Sequence, residues 1–172
     1  MANVDKTNKL EKFYTEGILL DKVWELLNEN IDISNITEFL ENSAGGGNMI
    51  DYLKDKTDIP IIAYDIKNET KRDDIIELDY LKHNIDYKEG RCTFMNPPFT
   101  KGLKFFYKAI EESDYVIAIL ATSSIISFDY EKYGIPKMYN IKGGYKFNNK
   151  KMDICIIFYD KNNIINLDDE RI

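Results

Sequence analysis

This 172-residue chain has only one histidine, two cysteines and four prolines, and each scarcity closes a line of chemistry. His83, in the polar stretch 81–84, has no second histidine and no cysteine pair with which to hold a metal, so no metal site is expected. The same lack removes a serine or cysteine triad, which needs a histidine as its base. Cys92 and Cys155 lie inside apolar runs, where buried free thiols and a cytoplasmic setting are expected. Cys92 is a poor nucleophile because it sits within such a run and not at its end. Apolar runs such as 154–159 are far too short to cross a bilayer, and the first six residues lack the apolar region of a signal peptide.

Basic charge is also in short supply. Thirty acidic residues against 23 basic ones leave −7, which argues against indiscriminate binding to nucleic acid. The deficit is uneven, however. Residues 132–152 contain no Asp or Glu and six lysines, so the rest of the chain carries −13.

What is present is globular: 44% hydrophobic and 13% aromatic residues, enough for one domain over 1–172 with a core at about 13–160. Residues 1–12 are polar and read as frayed. Apolar positions 19, 20, 23, 24, 26 and 27 fit a helix with one buried face. Strands are expected at 36–41 (buried except at its ends), 59–64, 75–78, 92–95 and 115–120, with helices at 49–56 and 101–112 and partial helix at 122–130. Two more strands, 137–141 and 152–159, make a hairpin across the basic segment. Alternating strands and helices predict an α/β fold, a Rossmann-like doubly wound sheet. It is mostly parallel and seven-stranded, with helices on both faces and an antiparallel edge hairpin.

Two of the four prolines are consecutive, in Asn96-Pro97-Pro98-Phe99. Neither can join a ladder or enter a helix interior, and the first pushes Asn96 into extended backbone. A strand must end here, mounting an amide and an aromatic ring stiffly at its carboxyl edge, where α/β sheets bind ligands. Upstream, Glu41-Asn42-Ser43-Ala44-Gly45-Gly46-Gly47 joins the first strand to its helix and lets backbone approach a ligand closely, or is a plain glycine turn. It has no Gly-Lys-Ser/Thr ending and no GxGxxG, since the third position is Ile50, so a nucleoside without a diphosphate is the expected ligand. Asp65, 18 residues after Gly47, stands where a carboxylate accepts from ribose hydroxyls, or is a solvated strand end. Asp79 accepts from an adenine amino group or simply starts a loop. Among the lysines, Tyr133, Tyr139, Tyr145 and Phe147 either stack bases or pack on the sheet.

The order Phe13-Tyr14-Thr15, the glycine turn, Asp65 and Asn-Pro-Pro-Phe resembles the class I S-adenosylmethionine-dependent methyltransferases, and among them the N6-adenine DNA type with a gamma-like motif order. The resemblance implies methyl transfer from S-adenosylmethionine to the adenine amino group of DNA, with alternatives in an RNA base, a protein glutamine amide or a non-catalytic cofactor binder. It places Asn96 and Pro97 as acceptors for the target amine and Phe99 stacked on the flipped base, beside Pro98. It assigns Tyr14 and Thr15 to the methionine moiety, Glu41, Ala44, Gly45 and Gly47 to the cofactor loop, Asp65 to the ribose, and Asp79 with Tyr80 to the adenine. Tyr145 or Phe147 would cover the base's other face, with Lys142 and Lys146 on phosphates. Two departures stand out: Asn42 replaces the usual proline, and no target-recognition domain is expected, so either specificity is low, or a homodimer or separate specificity subunit supplies it, or residues 132–152 do the reading.

Overall fold

Strand, turn and helix alternate from residue 38 onward because apolar residues there come in short saturated runs broken by Gly, Pro and Asp. The computed structural model of the protein describes residues 3–147 and 150–168, with side chains for 17–141 and 151–168. Helix α1 (Asn3–Asn30) precedes β1 (Glu38–Glu41), α2 (Asn48–Lys56), β2 (Ile61–Asp65), β3 (Ile76–Glu77), β4 (Lys88–Met95), α3 (Gly102–Glu112), β5 (Ser113–Ala121), α4 (Tyr130–Tyr133), β6 (Lys137–Phe147) and β7 (Lys150–Asp160). The seven strands form one sheet in the order β3-β2-β1-β4-β5-β7-β6. β7 alone runs against its neighbours, antiparallel to both β5 and β6.

Alternation along each strand explains the apolar runs. Phe39, Cys92, Phe94, Ile117, Ile119, Ile156 and Phe158 point to one face, under Leu20, Val23 and Leu27 of α1 and Leu53 of α2. Leu40, Met95, Val116, Ala118, Leu120, Cys155 and Ile157 point to the other, under Phe105, Phe106, Ala109 and Ile110 of α3. Strands covered on both faces need no polar side, as a mostly parallel sheet requires.

Three expectations are corrected. Residues 3–12 are helical rather than frayed, as the first turns of α1. Both ends of β1 are buried, with Glu38 4% and Glu41 0% exposed. β4 starts four residues before the apolar run, at Lys88, because its polar opening is held by charge pairs. Arg91 Nε donates to Glu38 Oε2 at 2.7 Å and Lys88 Nζ to Glu38 Oε1 at 2.9 Å. A buried carboxylate with two cations is tolerated where an unpaired one would not be.

The register also sets where the basic segment goes. β5 pairs with β7 only from Ala121↔Ile154 to Tyr115↔Asp160. Beyond Ala121 the two outer strands continue as a two-stranded ribbon, with Tyr145↔Met152 and Phe147↔Lys150 paired. A shift between Ile141 and Tyr145 lets the ribbon bend at Gly143-Gly144. The ribbon therefore overhangs the carboxyl edge of the sheet.

Candidate active site

Three parallel strands, β2, β1 and β4, end side by side at that edge, and their last residues or the turns after them carry the site. The turn after β1 is stitched to β2: Ala44 N–H donates to Tyr64 O at 2.9 Å and Gly45 N–H to Asp65 Oδ2 at 2.8 Å. Asp65 Oδ1 accepts from Lys67 N–H at 3.0 Å. Each oxygen keeps a further lone pair, so a ligand hydroxyl can still be accepted. Gly45 has a φ of 52° and nothing within 4 Å of the place a Cβ would take, leaving its backbone open to an incoming group. Gly47 is different. It caps α2 at a φ of 88°, and a Cβ there would sit 2.5 Å from Arg72 Nη1. That guanidinium is held by Asp51 and Asp74 at 2.7 and 2.8 Å, fastening the β2–β3 loop over the turn.

On the other side, β4 ends at Met95 and the elbow begins. Asn96 is half-buried, Pro97 buried, Pro98 exposed and Phe99 half-buried against the α1 face of the core. Among the described residues the Asn96 amide has no hydrogen-bond partner, and the Pro97 carbonyl accepts none, whereas Pro98 O takes the Lys101 N–H at 2.9 Å. Asn42 links the two halves, its Nδ2 lying 3.2 Å from Met95 Sδ. A cavity of about 220 Å³ lies between them, with Ser43, Ala44, Gly45 and Gly46 on one side and Asn96 and Ile119 on the other.

Glu41 lies beneath the turn. Its Oε1 accepts from Ser43 N–H at 2.9 Å and Ser43 Oγ at 3.3 Å, while Oε2 is buried without a partner. Burial pushes the carboxyl up to about 8, and neighbouring Asp65 adds to the rise. The thiols are inert by the same physics: burial raises both Cys92 and Cys155.

The structure thus brings Ala44, Gly45 and Asn96 to one cavity, with Gly47 closing the turn beside it and Asp65 holding its backbone. It does not bring Tyr80 there. Tyr80 is 2% exposed, stacked on Phe105 at 5.3 Å, and its hydroxyl donates to Glu112 Oε2 at 2.6 Å. The chain after β3 folds back under the sheet as a short 3-10 turn, so this ring joins the core and borders no open site. Asp79 is half-buried and 3.4 Å from Lys82. Tyr133 stacks on Tyr107 at 4.5 Å and Tyr139 accepts from Asn30 Nδ2 at 2.9 Å, so these two tyrosines pack on the molecule instead of waiting for bases. The side chains of Tyr14, Thr15, Lys142, Tyr145, Lys146 and Phe147 lie outside the described residues. Leu19 and Leu20 of α1 wall the cavity, a role their helical periodicity disguises as ordinary core. Ile66, 66% exposed directly after Asp65, is a further apolar surface at this edge that the strand pattern did not single out.

No protein-family model and no curated protein matches the chain. Solved structures do match it. A protein from Pyrococcus horikoshii described as an RNA methyltransferase superposes with a TM-score of 0.56 at 17% identity, covering 81% of this chain and 79% of that one. A dimethyladenosine transferase from Plasmodium falciparum gives 0.55 at 16% identity, covering 83% and 60%. The 23S rRNA methyltransferase ErmE gives 0.54 at 11% identity, covering 73% and 62%, so the chain spans about three-fifths of the latter two. The fold is that of a Rossmann-like methyltransferase.

Proposed function

We propose that this chain is an S-adenosylmethionine-dependent methyltransferase acting on the exocyclic N6 amino group of adenine in nucleic acid, with RNA as the carrier. The observation that carries this reading is the Asn96 amide, without a partner among the described residues, in the wall of a cavity floored by the glycine turn, with the unpartnered Pro97 carbonyl next to it in the chain. The cavity suits an amino-acid-sized group, and the open turn beside Asp65 suits a ribose, which together fit this cofactor. When bound, it supplies a methyl group on a positively charged sulfur.

An adenine amine is a weak nucleophile because its lone pair is delocalised into the ring. Asn96 and Pro97 can each accept one of its two N–H bonds, which favours a more tetrahedral nitrogen and aims its lone pair. Pro97-Pro98 holds both acceptors in place before the amine arrives, so alignment costs little at the moment of reaction. The same two oxygens favour the positive charge that develops on nitrogen. Phe99 offers a ring for the base, and a base within a duplex would have to be flipped out to reach it. No covalent intermediate is required, which agrees with two inert thiols.

The Asn-Pro-Pro-Phe resemblance by itself leads to DNA. What favours RNA is that two of the fold neighbours are described as RNA methyltransferases. Incubation with tritiated cofactor and RNA, DNA or protein separates the carriers, and nucleoside digestion identifies the product as N6-methyladenosine. Label in DNA alone, or in protein glutamine, would overturn the RNA assignment. Asn96→Ala should lower kcat by about 10²–10³-fold while cofactor affinity changes by less than about threefold. Unaltered turnover in that variant would remove the amine acceptor role.

A further inference from the structure

Glu41 has a carboxyl oxygen that reaches neither solvent nor a hydrogen-bond donor among the described residues. The side chain is wholly buried at the end of β1, and Ser43 holds it through Oε1. Asp65, at the end of the adjacent β2, is the charged group that acts on it, and it opposes ionisation. The N–H groups of Ser43 and Asn42 and the Ser43 hydroxyl act in the other sense. Among the described residues no lysine or arginine is paired with it. A carboxylate so placed keeps its proton unless positive charge is brought to it. The cavity lies one hydrogen bond away, since Ser43, which holds Oε1, is part of its lining.

We infer that Glu41 is a proton-linked counter-charge for the cofactor: it is protonated in the free protein and releases that proton to solvent as the ammonium of the cofactor's methionine moiety enters the cavity. This rests on reading the cavity as the S-adenosylmethionine site. The ledger of charge is simple. The O–H bond of Glu41 breaks, its proton leaves to solvent, and the site gains one negative charge against the ammonium of the ligand. With the carboxyl pushed up to about 8, about nine in ten copies hold the proton at pH 7. Cofactor affinity should therefore rise about tenfold per pH unit between pH 6 and 7.5 and level off near pH 8.

Calorimetric titration of the full chain with S-adenosylhomocysteine, in paired buffers of low and high ionisation heat, tests this. Expected is release of about 0.9 proton per ligand at pH 7, falling toward zero at pH 9. Glu41→Gln should release none at pH 7 and show a flat affinity profile. Binding with buffer-independent heat at pH 7, or equal release in Glu41→Gln, would overturn the inference and leave the cofactor reading intact. Absence of any binding at either pH would remove that reading and this inference with it. The wild-type buffer comparison decides the matter even where the variant does not fold.

Discussion

Protonation of Glu41 has a consequence for folding as well as for binding. Its folded value of about 8 lies above the ordinary 4.5 that an unfolded chain would show. The unfolded state therefore gains as pH rises, and this group's contribution is full below pH 4.5 and lost on the way to pH 8. The slope over that window is about 1.4 kcal/mol per unit. Urea unfolding of wild type and Glu41→Gln should diverge progressively from pH 5 to 8, with the variant gaining; parallel curves would show that the carboxyl is ionised already. Gly47 makes a second demand on a single position. Alanine there must hold a φ of 88° and displace an Arg72 guanidinium pinned by two carboxylates. Gly47→Ala should cost about 1–3 kcal/mol and weaken cofactor binding. Gly46→Ala, with nothing within 4 Å of its Cβ, is the control and should cost clearly less in the same denaturation series.

Helices and strands were legible wherever burial followed a period. α2, α3, β2 and β5 came within two residues of their expected bounds because the helices repeat apolar residues every third and fourth position and the strands are short continuous apolar runs. β4 escaped by four residues because Lys88-Glu89-Gly90-Arg91 reads as loop until Glu38 is placed opposite it. Arg91 also donates to the Asp86 and Glu112 carbonyls at 2.8 and 3.1 Å, so it pins β1, β4 and the end of α3 together. Arg91→Met should destabilise by about 3–5 kcal/mol in equilibrium unfolding, since it leaves buried Glu38 with Lys88 alone and frees the Asp86 and Glu112 carbonyls. Lys54→Met, at an exposed pair with Asp74, should fall within about 1 kcal/mol of wild type. Equal losses at the two sites would remove burial as the distinguishing cause.

For the molecule as a whole, sheet closure and the basic segment occupy separable parts. The sheet is closed by β5–β7 pairing over residues 154–160, while the lysine-rich ribbon of residues 142–147 and 150–153 extends past it at the carboxyl edge. With −13 on the chain outside residues 132–152, this basic segment is where a polyanion can approach. Replacing residues 142–151 by a two-residue Asn-Gly turn should move unfolding stability by less than about 1.5 kcal/mol. The same change should weaken RNA binding and reduce the slope of log K against log salt by about 2–3, from the loss of Lys142, Lys146, Lys150 and Lys151. An unchanged slope in a filter-binding titration would take the ribbon out of the interface.

The elbow, the glycine turn and Asp65 were legible in the chain itself, because φ restriction at Pro97-Pro98, missing Cβ atoms and a strand-ending acid are local properties that survive without a fold. Local chemistry could place an amide and a turn at strand ends, yet not beside each other. That came from β1 and β4 pairing in parallel, Phe39 opposite Cys92, which sets Asn42 against Met95 and both motifs around one cavity. The same packing sent Tyr80 into the core and left Glu41 buried with an unpartnered oxygen. Burial and partnership are sums over residues distant in sequence, so neither the loss of Tyr80 from the site nor the protonation of Glu41 could be read before the sheet was assembled.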